Sequence, residues 1–139
     1  AQKYAVRIGH GQNQRMALWD GILIKENHIA AAGSITAALK AADALRAGGE
    51  VQIEVESITE LEEALSAGAT SILIDNFSLE QMRLAVKINA GRALLEASGG
   101  VSIDQIKAVA STGVDRISIG KLTKDIQAID YSMRIDPIS

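Results

Sequence analysis

Five apolar stretches of strand length recur along the chain, at Gly21 to Lys25, Val51 to Glu56, Ser71 to Asp75, Ala93 to Ala97 and Arg116 to Gly120, and each is followed by a segment of helical period. Strands buried on both faces read as such apolar runs, and parallel strands joined through helices cross over right-handed. The repeat predicts an α/β fold of five consecutive βα units with a parallel sheet. That sheet is either an arc of a TIM-like, incomplete barrel or an open flavodoxin-like sheet. A closed eight-unit barrel takes about 250 residues, and this chain has 139. Ala1 to Ile8 reads as helix with no strand before it, so a barrel fragment is the expectation.

The helix boundaries carry their own chemistry. Ser57 with Glu60, Ser78 with Gln81 and Ser102 with Gln105 have the Ser-x-x-Glu/Gln spacing of a capping box, and Ser34 is a cap without one. Gly48, Gly68, Gly91 and Gly113 stand where helices should end, because glycine enters the left-handed conformation without a Cβ penalty. Between these limits Ile35, Leu39, Ala42 and Leu45, and again Ile103, Ile106, Val109 and Ala110, trace single helix faces expected to cover the sheet.

Composition removes several classes of function. Hydrophobic residues make up 47% and charged residues 22%, which is ordinary for a globular domain. No apolar run approaches the roughly 20 residues of a membrane-spanning helix, and no basic, apolar leader opens the chain. A soluble, cytoplasmic protein is expected. The net charge of −3, scattered basic residues and only four aromatic rings argue against nucleic acid. Without cysteine there are no disulfides, thiolate nucleophiles or cysteine metal ligands.

Polar groups gather at one end of the expected strands. Lys25 closes the first, Glu54 and Glu56 the second, Asp75 and Asn76 the third, Glu96 the fourth and Gly120 the fifth. Strand ends of a parallel barrel point the same way, so a lysine and several carboxylates would ring one mouth. Glu54 and Glu56 lie two apart and share a face; one is expected to line the mouth and the other to reach solvent. Two glycine-bearing turns follow the last two strands, Ser98-Gly99-Gly100 and Ser118-Ile119-Gly120-Lys121-Leu122-Thr123-Lys124. Paired late-strand loops of this kind hold phosphate in many barrels, and nearby carboxylates suit magnesium with phosphate oxygens. Upstream, the polar loop Gly9 to Arg15 ends in a guanidinium suited to carboxylate or phosphate. His10 and His28 are single histidines without metal-ligand spacing.

The segment GHGQNQRMALWDGILIKENHI, followed in order by VQIEVES, ILIDNFS, LLEASGG and GVDRISIGKLTK, closely resembles the barrel domain of the quinolinate phosphoribosyltransferase (nicotinate-nucleotide pyrophosphorylase, carboxylating) family over essentially the whole chain. The resemblance implies transfer of phosphoribose from phosphoribosyl pyrophosphate to quinolinate, yielding nicotinate mononucleotide, pyrophosphate and CO2 for NAD biosynthesis, with Mg2+ as cofactor. It implies that Arg15 and Lys25 bind the two substrate carboxylates. Glu54 and Asp75 would engage ribose hydroxyls and the metal, so that Lys25, Glu54 and Asp75 form the catalytic set. Ser98, Gly99, Gly100, Gly120 and Lys124 would bind phosphate. A homodimer or higher homo-oligomer is implied as well. The chemistry agrees: a dicarboxylate calls for cations, and an oxocarbenium-like transition state for nearby carboxylates.

The chain also departs from the family pattern. His10 interrupts a run of glycines, Gln14 replaces a histidine, Lys121 stands at a usual alanine, and Lys124 at a position that is histidine in many members. Residues 1–139 read as a single α/β domain, the barrel portion without the N-terminal domain and first barrel strand. The isolated chain is therefore expected to have little transferase activity while keeping affinity for phosphate-bearing ligands. The alternative is an engineered or excised βα fragment acting as a folding or assembly scaffold.

Overall fold

A computed structural model describes residues 2–13, 20–45, 49–125 and 128–135. The chain opens with α1 (Gln2–Ile8) and then alternates strand and helix. The strands are β1 (Gly21–Ile24), β2 (Glu50–Val55), β3 (Ser71–Asp75), β4 (Leu94–Ser98) and β5 (Arg116–Ile117). Between them lie α2 (Glu26–Ala32), α3 (Ile35–Leu45), α4 (Ile58–Ser66), α5 (Leu79–Asn89) and α6 (Ile106–Ala110), the last preceded by a 3-10 turn at Ile103–Gln105; α7 (Lys121–Lys124) follows β5. All four strand pairings are parallel and the spatial order is β1-β2-β3-β4-β5.

That order decides between the two expected architectures. A flavodoxin-like sheet reverses direction at a switch point, whereas here each strand adds beside the last. The open flavodoxin-like alternative is thus ruled out in favour of an arc of an unclosed barrel. Alternation along each strand separates two faces. Val51, Ile53 and Val55 of β2, Ile72 and Ile74 of β3, and Leu95 and Ala97 of β4 are buried in a core with Leu39, Leu61, Leu65, Met82 and Val109 from the helices. The opposite face carries Gln52, Glu54, Leu73, Asp75, Glu96 and Ser98. No helix among the described residues is long and apolar enough to cross a membrane.

Boundaries follow the caps with instructive exceptions. Ser78 and Gln81 make a complete capping box: the serine hydroxyl accepts from the Gln81 amide at 3.2 Å, and Gln81 Oε1 accepts from the Ser78 amide at 2.8 Å. Ser57 caps Glu60, but Glu60 Oε2 accepts from the amide of Glu56 instead of Ser57, so only half of that box forms. Gln105 Oε1 accepts from both the amide and the hydroxyl of Ser102. Ser34 Oγ accepts from the Ala37 amide as a cap should. Gly68, Gly91 and Gly113 take positive φ at helix ends, while Gly48 lies outside the described residues.

Two expectations are corrected. The fifth strand is only two residues long, because Ser118 to Gly120 leave the ladder after the Ser118 amide bonds to Ala97. Leu45 and Ile103 are exposed, so the two helical faces are shorter than their periodicity suggested. α2, between β1 and α3, is a helix for which no conventional capping residue gives a signal.

Candidate active site

Lys25 is the first residue beyond β1, and Glu54 is the penultimate residue of the neighbouring β2. Their parallel register brings the Lys25 ammonium to 3.4 Å from Glu54 Oε2, with the lysine half exposed and the carboxylate side chain 12% exposed. One strand further on, Asp75 ends β3. Carboxylate oxygens of Glu54, Glu56 and Asp75 all lie within 4.8 Å of one another. Glu56 is the exposed member of this cluster, so Glu54 lines the site and Glu56 reaches solvent beside it, the division expected of the pair. The signal was present in the two-residue spacing, since side chains two apart on a strand share a face.

Three carboxylates with one ammonium leave a net negative cluster of hard oxygen donors. That donor set fits Mg2+, which takes carboxylate oxygens at one or two positions and fills the rest with water or phosphate oxygen. Asp75 is further oriented by its neighbour: Asn76 Nδ2 donates to Asp75 Oδ2 at 2.6 Å. Asn76 itself sits at φ 56, a left-handed conformation that asparagine tolerates better than most residues.

The first glycine turn packs directly on this corner. The Asn76 amide donates to the Ser98 carbonyl at 3.1 Å, and Asp75 is the register partner of Ser98. A Cβ on Gly99, at φ 95, would fall within 2.8 Å of the Asn76 Cα and closer still to its N and Oδ1. Only glycine fits there. Gly100, at φ 64, has open space around it. Gly120 differs again: its φ of −69 is ordinary, and a Cβ would meet nothing within 4 Å. Glycine at 120 is thus not required by packing. The helix behind it is a single turn whose ends carry the exposed Lys121 and Lys124.

The histidines have local roles. His28 Nδ1 accepts from the Lys25 amide at 3.0 Å, fixing the backbone of the lysine at the start of α2. His10 is exposed at φ 61 just after α1. Arg15 and Gln14 lie outside the described residues. A cavity of about 480 Å3 lies along the inner face near the strand beginnings, between Gly21, Glu50 and Arg116, and not at the carboxylate cluster. Its walls include Gln52, Glu96 and Ser118, which lie between the two ends.

The profile described as "Quinolinate phosphoribosyl transferase, C-terminal domain" matches residues 1–134. A Bacillus subtilis protein named "Probable nicotinate-nucleotide pyrophosphorylase [carboxylating]" is 46% identical over 136 residues, which are 96% of this chain and 47% of the relative. Among solved structures, the nicotinate-nucleotide pyrophosphorylase from Francisella tularensis superposes with a TM-score of 0.88 at 48% identity, covering 93% of this chain and 46% of the other. NadC from Streptococcus pyogenes gives a TM-score of 0.89 at 42% identity, over 96% of this chain and 47% of the other. The chain spans about half the length of the curated relatives it matches.

Proposed function

The chain belongs to the quinolinate phosphoribosyltransferase family, as its C-terminal domain, and from that membership we propose that it serves the transfer of phosphoribose from phosphoribosyl pyrophosphate to quinolinate, with loss of pyrophosphate and CO2. This pentosyl transfer, forming nicotinate mononucleotide, belongs to NAD biosynthesis. The observation that supports the reading best is the convergence of Lys25, Glu54, Glu56 and Asp75 at the carboxyl ends of three adjacent strands.

Each group has a task in that reaction. Lys25 takes one quinolinate carboxylate, exchanging its ion pair with Glu54 for one with substrate, and Arg15 takes the other. As the bond to the departing carboxylate breaks and neutral CO2 leaves, the electron pair stays on the ring carbon until a proton takes it, and the two cations would stabilise that negative charge. Glu54 and Asp75 face the ribose, where carboxylates favour positive charge developing at the anomeric carbon. Mg2+, held by Glu54 and Asp75 with Glu56 beside them, would neutralise the leaving pyrophosphate. Ser98, Gly99, Gly100, Gly120 and Lys124 receive the 5-phosphate through backbone amides and the lysine ammonium. A homo-oligomeric assembly is part of the same proposal.

Calorimetric titration of the chain with quinolinate, and with phosphoribosyl pyrophosphate in the presence and absence of MgCl2, tests it. Both ligands should bind, the second more tightly with magnesium. Lys25→Ala should weaken quinolinate about tenfold or more, as expected for losing a hydrogen bond between charged groups, and leave magnesium-dependent binding of the second ligand nearly intact. Glu54→Gln with Asp75→Asn should do the reverse. Absence of binding by either ligand would sink the reading.

A further inference from the structure

Glu96 is a buried carboxylate, 6% exposed, on the inner face of β4. Its described partners are neutral. Gln52 Nε2 donates to Glu96 Oε2 at 2.9 Å, and Ser118 Oγ donates to Glu96 Oε1. These bonds span 44 and 22 residues of sequence and reach from β4 to β2 on one side and to the end of β5 on the other. A carboxylate taken from water with only neutral donors is costly, and native proteins keep such groups where their geometry matters.

The positions of the partners say what that geometry is. Gln52 lies two residues before Glu54 on the same face of β2, and Ser118 two residues before Gly120. Glu96 itself lies two residues before Ser98. One side chain therefore ties together the three segments that deliver Glu54, the Ser98 turn and the Gly120 turn. β5 offers only two residues of ladder, so Ser118 gains a second anchor beyond its amide bond to Ala97. Resting on the function proposed above, we infer that Glu96 is a positioning residue, which holds the β2 end and the β5 turn at the spacing a magnesium-bound phosphoribosyl ligand requires. Hydrogen bonding carries the effect, not charge.

Glutamine tests this distinction. In Glu96→Gln the amide oxygen still accepts from Gln52, and the rotatable Ser118 hydroxyl can accept from the new NH2. In Glu96→Ala both ties are gone. Hydrogen exchange of the 139-residue chain, read by mass spectrometry without ligand, should show faster exchange in Glu96→Ala at 54–56 and 118–121 together, and near wild-type exchange in Glu96→Gln. Change confined to β4, or spread evenly over the molecule, overturns the tie. Affinity for phosphoribosyl pyrophosphate with MgCl2, measured well below each variant's melting temperature, should fall about tenfold in Glu96→Ala and within about twofold of wild type in Glu96→Gln. Equal losses in the two variants would mean that charge acts, and would overturn the inference. Should wild type bind no ligand while exchange follows the expected pattern, the functional reading fails and the tie between strands stands.

Discussion

Gly99 and Gly120 look alike in sequence, each closing a strand before a turn, yet the space around them separates packing from ligand approach. At Gly99 a methyl group would collide with the backbone and amide of Asn76 while the residue is held at φ 95. Left-handed geometry alone costs a non-glycine residue about 1–2 kcal/mol, and overpacking adds about as much again. Gly99→Ala should thus lose roughly 3 kcal/mol in denaturant unfolding, and adding Asn76→Gly should not restore it, because the Asn76 N and Cα remain in the way. Gly120→Ala should stay within about 0.5 kcal/mol of wild type yet, on the function proposed above, weaken binding of phosphoribosyl pyrophosphate by adding a Cβ where the turn would receive the phosphate. Equal destabilisation of the two variants would refute the distinction. The same contrast shows what was legible at this scale. Lys25, Glu54 and Asp75 could be picked out because strand ends are recognisable from apolar runs. Glu56 shares the face of Glu54 by its spacing, but how far it reaches past the strand end depends on backbone geometry beyond the strand, and it ends exposed. The contact between Gly99 and Asn76 is set by two turns from different strands, and no local pattern encodes it.

Elements were readable where their ends obey local rules. Ser34, Ser57 and Ser78 mark helices because a hydroxyl satisfies an amide three residues on, a relation contained in four residues of sequence. α2 escaped because its first turn follows Lys25, which has no acceptor to offer the free amides. Its reciprocal bond comes from His28, in the position where a capping box places Glu or Gln. The Glu26-Asn27-His28 run is the first turn of a helix that fixes Lys25. His28→Ala should therefore cost about 1 kcal/mol, a shift of a few degrees in melting temperature for a domain of this size. His28→Gln restores the capping acceptor and should recover most of it. Exchange at the Lys25 amide should rise in the alanine variant and return in the glutamine one. A loss in His28→Gln as large as in His28→Ala would assign the effect to the imidazole packing instead.

The whole molecule has one sheet with unlike faces: an outer face buried under helices, and an inner face with polar and charged groups from Glu50 to Asp75. On the inner face Gln52 and Glu96 are buried and bonded to each other, while Arg116 and Glu50 stay exposed and paired at the strand beginnings. Beyond the last helix, Ile129, Tyr131, Met133 and Ile135 alternate with polar residues, the period of a half-buried strand. Yet they are 73%, 85%, 87% and 85% exposed. Four large exposed apolar groups close together in sequence favour contacts between chains, as do the edges of β1 and β5. The chain should accordingly self-associate with rising concentration in size-exclusion chromatography with light scattering. Replacing the four by serine should weaken that association. The melting temperature of the folded unit should change little, because exposed substitutions away from the core typically shift stability by no more than about 0.5 kcal/mol each. If the serine variant associates as strongly as the wild type, the strand edges are the cause. If instead its melting temperature falls by ten degrees or more, these groups pack on the domain in solution.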